Sequence, residues 1–436
     1  MNSITKHPLY SIADSLKKGF LLNGFKLLDN GEAPELTPVE KKVVCFSETD
    51  EFSVEPLLLD NGTYMLRSEQ ISANLKALQG TLPVRCICCG NIYDNSDKNL
   101  PAHLRIEGIY ADKGITFKDY LYLWKNIVNS TYGITASCEL EKNKNSYDIK
   151  VTINGSDSFI IGCTSPATWL ARALLNTDTP DINTWIFTLD LDTIAMHISG
   201  YQDRAALYDN KFEHLTTLSD TTAAVGNNFA CKVDNLLRSY GYHRFISKKI
   251  YPENCYRKMN MVQESWDANN KGIPIADCSE MHTFIPTVLT PALEDALSIC
   301  YASGSEAVKI YDIAHIFLPG KNGNPPTEKI ALSLGCYGNG ICSKTFKAEI
   351  DHILADLGVQ NHFFFPTDMA IAYDTSDTWL VLDEKLHYLE SNFGGISDIA
   401  EKNHDIHVHC FMANLELNAI EKKHEEEFNF IPPELR

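Results

Sequence analysis

Arg105 and Glu107 are the residues whose types and spacing most directly suggest chemistry, two apart in the run HLRIEG. In an extended strand, side chains at i and i+2 leave the same face, so this spacing sets a guanidinium beside a carboxylate. Such a pair can hold a small zwitterion, the carboxylate on its ammonium and the guanidinium on its acidic group. It can equally close on itself, as an Arg105–Glu107 or Arg105–Glu69 ion pair, because charges in a cleft must find partners. The surrounding pattern predicts the elements that carry the pair. The apolar run Val84–Tyr93 reads as a strand, polar residues 94–101 as a loop, and 104–110 as the returning strand. Residues 116–128 then read as a helix, with Phe117, Tyr120, Leu121, Trp124, Ile127 and Val128 at helical spacing.

Other candidates are weaker. Cys86 and Cys89 have zinc-ligand spacing, but no second C-x-x-C exists and both lie in the apolar run RCICCG, so core thiols are expected and no zinc. His407 and His409 fall on one face of an expected strand IHVHCFM, with His404 nearby, but no third ligand is visible and no metal site is expected. There is no G-x-x-x-x-G-K-[ST], G-x-G-x-x-G or G-x-S-x-G element; GCYGNG at 335–340 lacks the lysine and reads as a tight turn.

Composition narrows the class. A chain of 436 residues with 44% hydrophobic content suits two or three globular domains. Asp and Glu number 57 against 38 Lys and Arg, a net charge of −19. Phosphate backbones are gripped by basic surfaces, so this balance argues against general tRNA binding without abolishing a local basic patch. Thirteen cysteines without pattern suit a reducing compartment. The start MNSITKHPL has no apolar h-region, and no apolar run approaches the ~20 residues a membrane span needs. A cytoplasmic protein with no membrane partner is the expectation. Residues 216–227, small and polar, read as a linker, and KNGNPP at 321–326 as a turn-rich loop.

Several motifs, in order and spacing, resemble the phenylalanyl-tRNA synthetase family. Residues 85–133 resemble motif 2 and the following helix of its α subunit, with the E-G of Glu107-Gly108 and the D-K-G-I-x-F of 112–117. Residues 7–28 resemble motif 1, 66–68 its L-R-T segment, and 185–207 motif 3, carrying I-A-M-x-x-x-G-x-x-D. In the second half, residues 236–245, 276–317, 334–359 and 365–389 resemble the catalytic-like module of the β subunit, which does no chemistry in that family. The resemblance implies an α+β fold of two class II synthetase-like antiparallel sheets flanked by helices, packed as a pseudo-dimer in one chain. The α-like core takes 1–215, the linker 216–227, the β-like module 228–420 and an acidic tail 421–436. No counterpart of the family's coiled coil, editing region or anticodon-binding domain is expected.

By the same resemblance, the phosphate-gripping arginine of motif 2 reads Asp94, its glutamate reads Ser96, and the motif 3 arginine reads Thr193. Asp190 stands in place of a glycine. Bidentate arginine matches triphosphate geometry, and a carboxylate nearby repels it. Lys98 and Arg204 could still meet phosphate, and Asp190 or Asp192 could carry Mg²⁺, against the reading of solvated or capping aspartates. In the amino-acid pocket Glu107 is retained where the family holds the substrate's amino group, while the family's glutamine becomes Arg105. Ser68 matches a threonine, and Glu69 and Ile71 replace a histidine and a serine. The family's aromatic F-P-F wall aligns near Leu140-Glu141-Lys142. A phenylalanine pocket is not expected, and a polar or anionic amino-acid-like ligand fits better. Three functions stay open: a paralog that binds an amino-acid-like or adenylate-like ligand without normal charging, a tRNA-independent adenylate-forming ligase using ATP and Mg²⁺, and a compact tRNA synthetase.

Overall fold

The computed structural model describes residues 7–28, 35–39, 56–59, 62–71, 82–94, 102–167, 182–201, 203–208, 229–259, 273–275, 283–320, 324, 326–367, 373–383 and 388–430. Two compact units divide the chain: Pro8–Leu207 form one, and His7, Tyr208 and the described residues from Phe229 onward form the other. The expected linker 216–227 lies outside the described residues.

The first unit begins with helix Pro8–Leu22 and the short strands β1 (Lys26–Leu28), β2 (Leu36–Pro38) and β3 (Tyr64–Leu66). The expected strand–loop–strand follows as β4 (Val84–Tyr93) and β5 (Ala102–Lys113), the second longer than its apolar centre suggests. Next come helix Phe117–Tyr132, a meander of β6 (Ser137–Asn143), β7 (Ser146–Thr152) and β8 (Phe159–Pro166), then β9 (Ile182–Asp190) and helix Leu191–Ser199. The sheet runs β1-β4-β5-β9-β8-β7-β6, antiparallel except for β1 on β4.

Alternation gives this sheet two unlike faces. Tyr110 on β5 with Trp185 and Phe187 on β9 point to one side, where the two long helices bring Phe20, Tyr120 and Trp124. Phe187 stacks on Phe20 at 5.3 Å and meets Trp124 edge-on at 5.1 Å. Gly108 must lack a side chain there, since a Cβ would lie 2.0 Å from the Phe187 ring. Helix Phe117–Tyr132 starts on a capping box: Asp119 N–H donates to Thr116 Oγ1 and Thr116 N–H donates to the Asp119 carboxylate. The opposite face carries Val84, Cys86 and Cys88 of β4, Ile109 and Ala111 of β5, and Ile186 of β9, all buried. At its β5–β9 end the same face carries Arg105, Glu107, Thr188 and Asp190.

The second unit repeats the wiring. After helix Phe229–Ser239 come β10 (His243–Arg244), β11 (Tyr251–Pro252), helix Glu253–Lys258, β12 (Ile273–Pro274) and β13 (Thr283–Ile285). Helix Thr290–Ala302 leads to the hairpin β14 (Val308–Leu318) and β15 (Thr327–Tyr337), and helix Ser343–Asp356 to β16 (His362–Pro366), β17 (Tyr373–Asp383) and β18 (Tyr388–Ile396). Helix Asp398–Asn403, β19 (Phe411–Glu416) and helix Leu417–Phe430 close the unit. Its sheet runs β10-β14-β15-β19-β18-β17-β16, position for position the order of the first, with β10 again parallel to its neighbour. Mixed α+β architecture with two antiparallel sheets flanked by helices is what the motifs predicted.

Three local expectations are corrected. Residues 404–410 are not strand; β19 begins at Phe411, so His407 and His409 do not share a strand face. The stretch expected as a solvated tail starts as helix, because Leu417, Ile420 and Lys423 recur at helical spacing and are buried. Leu140-Glu141-Lys142 lie on β6, the far edge of the sheet and four strands from β5, so they wall nothing near Glu107.

Candidate active-site face

The site grows from the register of β5. Glu107 pairs with Cys88 on β4 and Thr188 on β9, and Arg105 with Gly90 and Asp190. Strand alternation therefore sets Arg105, Glu107, Thr188 and Asp190 side by side, as the i, i+2 spacing predicted for the first two. The segment after β3 folds over them. Arg67 N–H donates to the Glu35 carbonyl at 2.7 Å, Tyr93 N–H donates to the Arg67 carbonyl at 2.9 Å, and the Arg67 guanidinium donates to the Asn91 carbonyl at 3.2–3.3 Å. The Gln70 amide donates to the same carbonyl at 3.1 Å. Gly90 permits this: a Cβ there would lie 2.8 Å from Gln70 Nε2 and 3.3 Å from Arg67 Nη2.

Clamped in this way, the segment directs two backbone donors at Glu107. Gln70 N–H reaches Glu107 Oε2 at 2.7 Å and Ile71 N–H at 3.2 Å. Glu107 is 1% exposed. Burial pushes its carboxyl above the usual carboxylate range, while the charge of Arg105, the two N–H donors and the charge of Arg67 act the other way. Ser68 and Glu69 are buried in the same segment.

Arg105 is half-buried, and its Nε is buried without a hydrogen-bond partner. Its cross-strand neighbour Asp190 is committed elsewhere. Asp190 caps helix Leu191–Ser199, accepting Thr193 N–H at 3.2 Å, and binds Arg204 Nη2 at 3.0 Å. Arg204 Nε also lies 3.5 Å from Asp192, which is fully buried and 3.7 Å from His103 Nδ1. Thus Arg204, Asp190 and Asp192, singled out as phosphate or Mg²⁺ contacts, meet one another. Asp94 is buried just past β4, Thr193 sits in the first turn of its helix, and Lys98 and Ser96 lie outside the described residues.

The second sheet supplies a comparison. Asp190 and Glu416 each end the last strand of their sheet, and Arg105 and Ala331 pair with them. Two residues on, Glu107 corresponds to Ser333, which pairs with Asn414 as Glu107 does with Thr188. The Arg–Glu pair of the first sheet is Ala–Ser in the second. Among the remaining sequence candidates, Cys86 and Cys89 leave opposite faces of β4. His404 lies 3.0 Å from Glu294 and His407 3.2 Å from Asp405. His409 bonds Glu401 at 3.0 Å, and the two join Asp398 in a group whose donor atoms lie within 4.8 Å of one another. No helix among the described residues is long and apolar enough to cross a membrane.

Sequence reasoning missed Gln70, Asn91 and Thr188. Thr188 was reachable by counting alternate positions from Asp190, whereas the folding of Gln70 onto Asn91 has no local signal.

Comparison with known proteins follows this division. The family model described as "tRNA synthetases class II core domain (F)" matches residues 1–218, and that of the "Phenylalanyl tRNA synthetase beta chain CLM domain" matches residues 217–417. Among curated proteins, the phenylalanine–tRNA ligase α subunit of Ehrlichia ruminantium (strains Gardel and Welgevonden) is 24% identical over 229 residues, covering 48% of this chain and 65% of the relative. That of Heliobacterium modesticaldum is 28% identical over 133 residues, covering 26% of this chain and 35% of the relative. The chain therefore spans less than two thirds of the curated relatives it matches. On the match to its first half, the chain belongs to the family of class II tRNA synthetase core domains (F), and its second half is similar to the phenylalanyl-tRNA synthetase β-chain CLM domain.

Proposed function

We propose that the first unit keeps the amino-acid end of a class II synthetase site and has lost its phosphate end, so that it binds an amino-acid-like ligand without normal tRNA charging. The observation that carries this reading is Glu107, a buried carboxylate held by two backbone N–H groups on the sheet face not covered by the aromatic helices. A carboxylate whose orientation is fixed by two N–H donors is a preorganised partner for an ammonium group.

Class II synthetases use ATP and Mg²⁺, and the residues here do not fit the triphosphate. The positions where family arginines would stand read Asp94 and Thr193. Arg204 is engaged by Asp190 and Asp192, so its charge is already matched by two carboxylates. Loss of a preorganised charge-stabilising donor costs on the order of 10²–10³ in rate, and two are missing.

Pyrophosphate exchange across an amino-acid panel, with thermal shift on the same samples, tests the proposal. Stabilisation without exchange is expected. Exchange without tRNA would replace it with an adenylate-forming ligase, and exchange with tRNA charging with a compact synthetase.

A further inference from the structure

We infer that the ligand carries a second acidic group, so that the site selects an acidic amino acid, with Glu107 on the ammonium and Arg105 on the side-chain acid. This deepens the proposed function and rests on it.

On its face Arg105 is flanked by His103, Glu107, Asp190 and Gly90, and none of them forms a hydrogen bond or ion pair with its guanidinium. Asp190, directly opposite on β9, gives its carboxylate to Arg204 and to Thr193 N–H. Glu107, two residues along, takes its hydrogen bonds from Gln70 and Ile71. Gly90, opposite on β4, has no side chain. No carboxylate among the described residues comes within ion-pairing distance of the Arg105 guanidinium, and its Nε is buried without an acceptor.

Beside it, Thr188 Oγ1 is also buried with no hydrogen-bond partner, in a side chain 9% exposed and opposite Glu107. Buried polar groups in folded proteins are almost always satisfied. Here the Arg105 Nε and the Thr188 hydroxyl, on one face and flanking a carboxylate, share the same deficit, and an acid on the ligand meets it. A guanidinium fork also discriminates: it binds a carboxylate bidentately but meets a neutral amide with one acceptor and an opposed N–H₂.

The test uses isosteric pairs on the full chain: L-glutamate against L-glutamine, L-aspartate against L-asparagine, and L-phenylalanine, by calorimetry and thermal shift. An acidic member at least tenfold tighter than its amide is expected, with that preference lost in Arg105→Gln while its melting temperature is unchanged. Equal binding of acid and amide would overturn the inference and leave the proposed function standing, since Arg105 would then hold at most the α-carboxylate. Binding of none of the five would overturn both. A large loss of melting temperature in Arg105→Gln would overturn the inference as well, by showing that the guanidinium has a structural partner.

Discussion

Arg105 and Asp190 face each other across β5 and β9, yet the Asp190 carboxylate lies on Arg204, 3.0 Å away. A cation and an anion placed opposite in a sheet normally pair. The diversion follows from chain order: Asp190 ends β9 and must cap the helix that starts at Leu191, which turns its carboxylate toward Arg204.

Arg204 therefore has a structural role. We predict that Arg204→Gln lowers unfolding free energy by about 2–3 kcal/mol, because Asp192 is buried and loses a charged partner. Asp190→Ala should cost roughly 1 kcal/mol through the cap. Urea denaturation measures both, and an Arg204→Gln effect below half a kcal/mol would contradict the assignment.

Glu107→Gln should abolish amino-acid binding while leaving the fold intact. Burial raises the Glu107 carboxyl, so the folded chain holds that proton more tightly than the unfolded chain. Its contribution to stability is present in acid and is lost as pH rises through the raised folded value. A neutral glutamine still offers an oxygen to Gln70 and Ile71 N–H, so the variant should melt no lower than wild type at pH 7 and should flatten this part of the pH dependence. Melting curves from pH 4 to 8 check this, and a variant less stable only at pH 7 would refute it.

Gly108→Ala should destabilise the first unit by ~1–3 kcal/mol, the usual cost of overfilling a packed core. The added methyl would meet a Phe187 ring wedged between Phe20, Phe25 and Trp124. Near-ultraviolet circular dichroism through the unfolding transition should show the aromatic cluster perturbed, and an unchanged spectrum and midpoint would count against the packing.

In the second unit, burial works against protonation of His404, but its hydrogen bonds to the Asp295 and Glu294 carboxylates outweigh it and raise the imidazole from 6.5 to about 10. A raised histidine gives its full stabilisation below pH 6.5, and that contribution drains away as pH climbs toward 10. Burial likewise pushes Glu294 up to about 7. His404→Gln should lower the melting temperature at pH 7 by several degrees, on the order of 2–4 °C per kcal/mol, and weaken its dependence on pH between 7 and 10. An unaltered alkaline limb in the variant would exclude His404 as its source.

Much of this was legible in the sequence because it depends on local periodicity. Period-two alternation put Arg105 and Glu107 on one face, and the helical spacing of Phe117, Tyr120, Leu121, Trp124, Ile127 and Val128 marked the helix over the sheet. Motif order identified both modules. What stayed hidden depends on contacts distant in sequence. Nothing near Arg204 announces that it binds Asp190 and Asp192, nothing near Gln70 that its N–H meets Glu107, and the histidines of IHVHC looked like strand until Asp405 and Glu401 drew them apart. The aromatic wall failed for a related reason: Leu140-Glu141-Lys142 matched by position in the chain, but strand order carries them to the sheet edge.

The shared strand order has a consequence for how each sheet is assembled during synthesis. In the first sheet β4 and β5 can zip as one hairpin and β6–β8 as a separate meander, but only β9 touches both, pairing β5 on one side and β8 on the other. In the second, β19 bridges β15 and β18 in the same way. Each sheet is thus two halves awaiting the strand that leaves the ribosome last, and sequence-distant closure of this kind slows folding. Asp190 and Glu416 are the final residues of those keystone strands. The Arg105 face cannot exist on a nascent chain until β9 has emerged.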